Sequence, residues 1–151
     1  MEKPPHAIRV DLSVIAHATE DIEKVCLAAK KLLPKELHGE VTLRRELAAG
    51  HHGNPIVSLK ATISDRTKVE RLIVELALRL SSLDRRLLLK ELDQCIDSEG
   101  NLYLRFDKQA AYLGEVRFMQ EDPIRIKVRF QGRPCTTEAI RSLCKEMGLI
   151  D

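Results

Sequence analysis

The stretch IRIKVRFQ, from Ile124 to Gln131, alternates strictly between apolar and polar side chains. This period of two is typical of a β-strand with one buried face. The apolar positions are Ile124, Ile126, Val128 and Phe130. The positions between them are Arg125, Lys127, Arg129 and Gln131. The stretch therefore predicts a strand that buries one apolar row and presents three positive charges on its other face.

Further strands are predicted on both sides of this one along the chain. Residues 7–18 alternate in the same way, with Ile8, Val10, Leu12 and Val14 on one face. Residues 40–47 and 55–63 predict a hairpin whose tip contains Gly50 and Gly53. A second strand cluster runs through NLYLRFD, KQAAYLG and EVRFMQ to IRIKVRFQ and contributes three strands, with turns at DSEGN and at Asp122 and Pro123.

Helices are predicted between the strands from apolar stripes and capping residues. Thr19, followed by two acidic residues, is predicted to cap a helix that ends before Pro34. Asp65 caps a long helical stretch that Ser81 interrupts, which predicts either a helical hairpin or one bent helix. Thr136 opens a last helix, and Gly148 stands at its C-terminal cap.

These elements predict one α+β domain over residues 1–151. The chain has 151 residues, with 44% hydrophobic and 32% charged residues, which is a globular composition. The predicted order is β-α-β-β-α-α-β-β-β-α, with helices packed on one face of a mixed or mainly antiparallel sheet. The other face of the sheet is then partly open.

Bulk charge does not indicate a polyanionic partner, because 25 Lys and Arg residues balance 23 Asp and Glu residues. Any phosphate site must therefore be a local cluster. Aromatic residues are only 3% of the chain and Trp is absent, so recognition of a ligand by base stacking alone is not expected.

The cysteines and the first residues of the chain indicate a cytoplasmic protein. None of the four cysteines forms a C-x-x-C pair, which fits free thiols in a reducing compartment. The segment MEKPPHAIRV lacks the apolar stretch of a secretion signal, and no run approaches the roughly 20 apolar residues of a membrane span.

The basic row Arg125, Lys127 and Arg129 is the main candidate for a binding site. Same-face residues of a strand lie roughly 6.5 to 7 Å apart, close to the spacing of successive phosphates in a nucleic acid. Arg105, Lys108 and Arg117 are candidates to join the row from neighbouring strands. The alternative is a solvated face that is balanced by nearby carboxylates, which is what most charge runs are.

The sequence contains no motif of a known catalytic class, such as a P-loop, a nucleophile elbow or H-E-x-x-H. The pair His51 and His52 could ligate a metal, but no second ligand cluster accompanies it, so phosphate or hydrogen-bond contacts are favoured. We expect no metal, no cofactor and no enzymatic activity. A pocket that gathered His17, His51 and Asp107 would contradict this expectation.

Three segments together resemble a known family. They are HATED at residues 17–21, GHHGNPI at residues 50–56 and LRFDKQAAYLGE at residues 104–115. They resemble the archaeal RNA-binding protein family that is often described as predicted exosome subunits. The resemblance implies an α+β fold similar to that of the ribosomal protein that grips 5S RNA, and it implies RNA as the ligand.

The resemblance supplies candidate contacts and no catalytic residues. In the third segment Lys108 can hold a phosphate, Gln109 can read a base and Tyr112 can stack on one, although this segment could instead only dock on the core. In the second segment the candidates are His51, His52 and Asn54.

The function predicted from the sequence is non-catalytic RNA binding, as an accessory of RNA processing, of the exosome or of ribosome biogenesis. The expected partners are RNA and exosome or ribosomal components, with no membrane. The alternative is a structural or protein-interaction module that forms a homodimer through its open sheet face.

Overall fold

The computed structural model describes residues 4–49, 53–132 and 135–151. Within these residues the chain forms one sheet of five strands, which are β1 (His6–Ala16), β2 (Arg44–Ala49), β3 (Pro55–Ile63), β4 (Leu102–Phe106) and β5 (Ile124–Gln131). The five α-helices are α1 (Ile22–Lys31), α2 (Arg66–Arg79), α3 (Ser82–Cys95), α4 (Lys108–Tyr112) and α5 (Thr137–Glu146). No helix in the described part of the chain is both long and apolar enough to cross a membrane.

The sheet is open, and its strands are arranged in the order β2-β3-β1-β5-β4. Every neighbouring pair of strands is antiparallel. The strand β1 is central and pairs on one side with β3 and on the other with β5, more than 100 residues away in the sequence. The last strand of the chain therefore lies inside the sheet and not at its rim.

Alternating apolar side chains of the strands form the floor of the core. On β1 and β5 the fully buried members include Val10, Leu12, Ile124, Ile126 and Val128. The helices α1 and α2 pack against β1, and α3 packs against β4, so the helices cover this one face. The opposite face of the sheet is left uncovered by them.

The pattern of β1 is interrupted by a bulge at Ile8. Ala7 pairs with Phe130 and Val10 pairs with Val128, so β1 uses one more residue than β5 over this interval. Ala7 consequently takes the buried position that the sequence pattern assigned to Ile8, which is half-buried. The strict alternation predicted for residues 7–18 is therefore wrong at Ile8.

Side-chain caps fix where the helices begin. Asp21, and not Thr19 as predicted, caps α1 by accepting hydrogen bonds from the amides of Glu23 and Lys24. Its carboxylate carries the negative charge that the positive helix N-terminus favours. The predicted caps Asp65 and Thr136 are confirmed, and Ser81 caps α3, a role that was not predicted for it. The interruption at Ser81 separates two helices.

The segment between β4 and β5 forms a short helix and a single β-bridge in place of the predicted middle strand. Asp107 accepts a hydrogen bond from the amide of Gln109 and starts the short helix α4, which places Ala110 and Ala111 in the core. Beyond it, Phe118 makes a single antiparallel bridge to Phe106, and the two rings lie 5.3 Å apart. The middle strand of this cluster is thus reduced to one bridge.

The α+β class and the open sheet with helices on one face are confirmed. The cysteines are free, and Cys26, Cys95 and Cys144 are buried or half-buried while Cys135 is exposed. Burial raises the pKa of the Cys144 thiol to about 12. The predicted hairpin tip, with Gly50, His51 and His52, lies outside the described residues.

The two faces of β5 should respond differently to truncation. Ile126→Ala removes a fully buried side chain, so it should lower the free energy of unfolding by about 3 kcal/mol. Lys127→Ala changes the adjacent, uncovered position and should cost about 0.5 kcal/mol or less. Urea denaturation of both variants measures the difference, and equal losses would contradict the assignment of the faces.

Candidate nucleic-acid interface

The uncovered face of the sheet is rich in positive charge. Strand register places seven basic side chains on it, which are Arg9, Arg44, Lys60, Arg105, Arg125, Lys127 and Arg129. The same register places only two carboxylates there, Asp11 and Glu46. We call this surface the cationic face. Its net charge of +5 contrasts with the value of +2 for the whole chain.

Four of these cations lie in one row that crosses all five strands. Arg105 lies directly opposite Arg125, and Arg125 lies opposite Ser13 on β1. On the other side of Ser13 the row continues through Lys60 on β3 to Arg44 on β2. Neighbouring strands are roughly 4.8 Å apart, so the row spans roughly 19 Å at the backbone.

Tyr103 lies among the cations of β4 and β5. The centroid of its ring is 5.6 Å from the Arg105 guanidinium, 6.0 Å from that of Arg125 and 5.9 Å from the Lys127 ammonium. At such distances the negative face of an aromatic ring attracts a cation. The ring therefore offsets part of the mutual repulsion of the three positive groups.

Few of these positive charges are neutralised within the protein. Arg9 forms an ion pair with Asp11 at 3.1 Å, and Lys60 lies 3.6 Å from Glu46. The other five cations form no ion pair with any carboxylate in residues 4–49, 53–132 or 135–151. Side chains in this state can neutralise an external anion without first breaking an internal ion pair.

The structure brings together four of the basic residues that the sequence singled out. Arg125, Lys127 and Arg129 lie along one face of β5, and Arg105 joins them from β4. Arg117 does not join this row. It forms an ion pair with Glu115 at 3.1 Å and lines a groove with Arg79 and Asp84, at the junction between α2 and α3.

Lys108 does not join the row either. Four polar atoms of the protein surround its ammonium group. Its Nζ donates to the Ile15 carbonyl at 2.6 Å and to Asp122 Oδ2 at 2.8 Å. Both carboxylate oxygens of Glu20 accept from it at 3.0 and 3.3 Å. Since only 11% of the side chain is exposed, its charge is satisfied internally. We call these groups, together with His17, the Lys108 network.

His17 completes this network. Its Nε2 lies 2.9 Å from Asp122 Oδ1, and its backbone amide donates to Glu20. Ligand atoms of His17, Glu20 and Asp122 lie within 4.8 Å of one another, as metal ligands do. The Lys108 ammonium already bonds both carboxylates, so it supplies the positive charge that a metal would bring. Asp107 caps α4 instead of joining His17.

The other predicted contact residues are separate from the cationic face. Gln109 and Tyr112 line an apolar cleft of about 370 Å³ between α1 and α4. The backbone carbonyl of Tyr112 accepts from Lys31 Nζ at 2.6 Å, and the same ammonium lies 5.1 Å from the Tyr112 ring. Asn54 is exposed in the loop before β3. His51 and His52 lie outside the described residues.

Sequence reasoning missed Arg9, Arg44, Lys60 and Tyr103. Arg9 and Lys60 do occupy alternate polar positions of predicted strands, so their orientation was available from the period of two. Their closeness to Arg125 was not available, because it depends on which strands pair and in what register. Tyr103 adjoins Leu102 and Leu104 in an apolar run that conceals its uncovered position.

Comparisons with known proteins agree on one family. A family model described as RNA binding matches residues 9–130. An RNA-binding protein of Pyrococcus abyssi is 35% identical over 143 residues, covering 93% of this chain and 92% of that protein. A crystal structure of a DUF54 protein from Archaeoglobus fulgidus superposes with a TM-score of 0.81 at 32% identity, covering 93% of this chain and 99% of that one. A DUF54 protein from Methanothermobacter thermautotrophicus gives 0.76 at 27% identity, with 93% and 97% covered.

The Lys108 network should make the free energy of unfolding depend on pH through the Asp122 carboxylate. Partial burial would raise the pKa of Asp122, but hydrogen bonds from Lys108 and His17, with their charges, outweigh burial and hold that pKa below its ordinary value. The Asp122 carboxylate binds a proton more readily in the unfolded chain than in the folded protein. The stabilisation by ionised Asp122 is therefore complete above pH about 4, and it is lost as pH falls through the pKa of Asp122 in the folded protein.

Comparison with Asp122→Asn tests this dependence. Asn tolerates the positive φ of 46° at this position, so the backbone is retained. The difference in unfolding free energy between the two proteins should be largest near neutral pH and should shrink below pH about 4. Urea denaturation over this pH range measures it, and a constant difference would contradict the role of Asp122.

Proposed function

Because the chain belongs to the RNA-binding family whose model matches residues 9–130, we propose that it binds RNA through the cationic face. The observation that carries the proposal is the row of Arg44, Lys60, Arg125 and Arg105 across all five strands. Family membership supplies the ligand class, and the row supplies a surface on which a polyanionic chain fits. The relative in Pyrococcus abyssi is named as an RNA-binding protein, which supports the same ligand.

Phosphate contacts dominate the binding energy in this proposal. A protein that neutralises phosphates releases the counterions around them, and each contact steepens the dependence of affinity on salt. Five of the seven cations form no ion pair in the described residues, so contact with phosphate does not compete with an internal carboxylate. Contacts to about four phosphates would give a log-log salt slope of roughly −3 for a single strand.

The proposed contacts include residues from the original prediction and others found in the structure. Arg105, Arg125, Lys127 and Arg129 remain proposed contacts, and Arg44 and Lys60 are added to them. Lys108 is proposed as a positioning residue, since its ammonium joins the C-terminal end of β1 to the loop before β5. Gln109, Tyr112, Arg117 and Asn54 remain peripheral candidates.

The wider role proposed here is that of a non-catalytic accessory of RNA processing. The resemblance to predicted exosome subunits and to a ribosomal RNA-binding protein favours the exosome or ribosome biogenesis as the setting. In this proposal residues 1–151 act as one RNA-binding domain in the cytoplasm. Substrate RNA would be held on the sheet while other proteins perform the chemistry.

Dimerisation through the uncovered sheet face is the weaker alternative. Two copies that met through this face would bring seven cations of one copy against seven of the other. Like charges at close distance repel, and Asp11 and Glu46 are too few to compensate. The charge of the face therefore favours a polyanion over a second copy.

Removal of the charges of β5 tests the proposal. A variant with Arg125→Gln, Lys127→Gln and Arg129→Gln should bind RNA about tenfold more weakly or worse, and its log-log salt slope should fall by roughly 2 in magnitude. Fluorescence anisotropy with labelled RNA at several ionic strengths measures both quantities. Unfolding free energy should change little, because these side chains lie on the uncovered face.

The matched control removes three charges from the helical side of the protein. Arg66→Gln, Arg86→Gln and Lys90→Gln alter exposed residues of α2 and α3 and lower the net charge by the same amount. This variant should retain most of the affinity of the original protein. If both variants weaken binding equally, only bulk charge matters and the assignment to the cationic face fails.

A further inference from the structure

The distribution of charge on the cationic face points to a narrower ligand, and we propose that this face binds double-helical RNA across its minor groove. The inference rests on the proposed function, since it specifies which form of RNA that surface holds. It depends on three features of the uncovered face: two separate groups of cations, a polar strip between them, and only one Phe, Tyr or Trp side chain.

Six of the seven cations of the face form two banks on either side of β1, and the seventh, Arg9, lies on β1 and is paired with Asp11. The first bank is Arg105, Arg125, Lys127 and Arg129 on β4 and β5, and the second bank is Arg44 and Lys60 on β2 and β3. Two strand spacings separate Arg125 from Lys60, which is roughly 10 Å. Four spacings, roughly 19 Å, separate Arg105 from Arg44. Two banks suit two phosphate backbones, whereas a single strand that crossed from one bank to the other would pass beside the Asp11 carboxylate, which repels phosphate.

The strip between the banks has the polarity of a hydroxyl-binding surface. Asp11 stands in its middle, where its Oδ1 accepts from the Thr62 hydroxyl at 2.8 Å and from Arg9 at 3.1 Å. A carboxylate would repel a phosphate placed there. It is instead a good acceptor for a hydroxyl group, and Ser13 beside it adds a hydroxyl of its own. The minor groove of an RNA helix presents 2′-hydroxyls between its two phosphate backbones.

A shortage of aromatic rings disfavours a single strand as the preferred ligand. The entire sequence contains three Phe and two Tyr residues and no Trp. Phe106 and Phe130 are buried in the core, and Phe118 packs against Phe106. Tyr112 belongs to α4, on the helical side. Tyr103 is thus the one Phe, Tyr or Trp side chain on the uncovered face, whereas recognition of single strands stacks several bases on aromatic rings.

The first experiment compares three ligands of equal length and related sequence. These are an RNA duplex, one of its strands with a sequence that does not fold, and the corresponding DNA duplex, titrated at one ionic strength by fluorescence anisotropy. The RNA duplex should bind about tenfold more tightly than the single strand, because it reaches both banks. It should also bind more tightly than the DNA duplex, which lacks the 2′-hydroxyl.

The second experiment removes only the second bank. A variant with Arg44→Gln and Lys60→Gln should lose about tenfold in affinity for the RNA duplex and about twofold or less for the single strand. The control variant Arg86→Gln and Lys90→Gln removes two charges from α3 and should leave both affinities nearly unchanged. Asp11→Ala removes the carboxylate acceptor and should narrow the difference in affinity between the RNA duplex and the DNA duplex.

The results separate failure of this inference from failure of RNA binding as such. Single-stranded RNA bound as tightly as the duplex, or equal losses for both ligands in the second-bank variant, would overturn the inference and leave RNA binding in place. Equal affinity for RNA and DNA duplexes would overturn the recognition of 2′-hydroxyls. If no RNA is bound, or if removal of the β5 charges has no effect, the proposed function itself fails.

Discussion

Burial of alternate apolar side chains on β1 and β5 decides where the cations of this protein lie. A slip of one residue in the pairing would turn Arg125, Lys127 and Arg129 into the core and expose Ile124, Ile126 and Val128. Each of these buried aliphatic side chains stabilises the fold by roughly 1.5 to 3 kcal/mol, and each buried charge without a partner would cost several kcal/mol more. The cations are therefore held together by the core beneath them and not by any attraction among themselves.

Polar contacts at one end of the sheet join segments that the apolar core does not hold by itself. The Lys108 ammonium joins the end of β1, the segment before α1 and the loop that leads into β5. Two of the three segments that resemble the RNA-binding family meet in this network, through Glu20 and Lys108. Their likeness to the family is thus explained at least in part by a structural role. The charges that remain available to a ligand come from positions between the buried ones.

The sequence predicted the features that depend on local pattern and missed those that depend on strand pairing. The period of two gave the orientation of Arg125, Lys127 and Arg129 correctly, and capping chemistry located Asp65 and Thr136. Spacing along the chain could not show that Lys60 and Arg44 continue the row of Arg125, because the register between distant strands is a tertiary property. The bulge at Ile8 and the sequestration of Lys108 were likewise invisible, since each depends on contacts with remote segments.

The position of β5 inside the sheet has a consequence for how the chain folds during synthesis. Residues 1–123 can form β1, β2, β3 and β4, yet β1 and β4 have no neighbour between them until β5 arrives. Synthesis of β5 is therefore required before the two halves of the sheet can join. Until then one edge of β1 exposes unpaired backbone groups, which are a template for association with other chains.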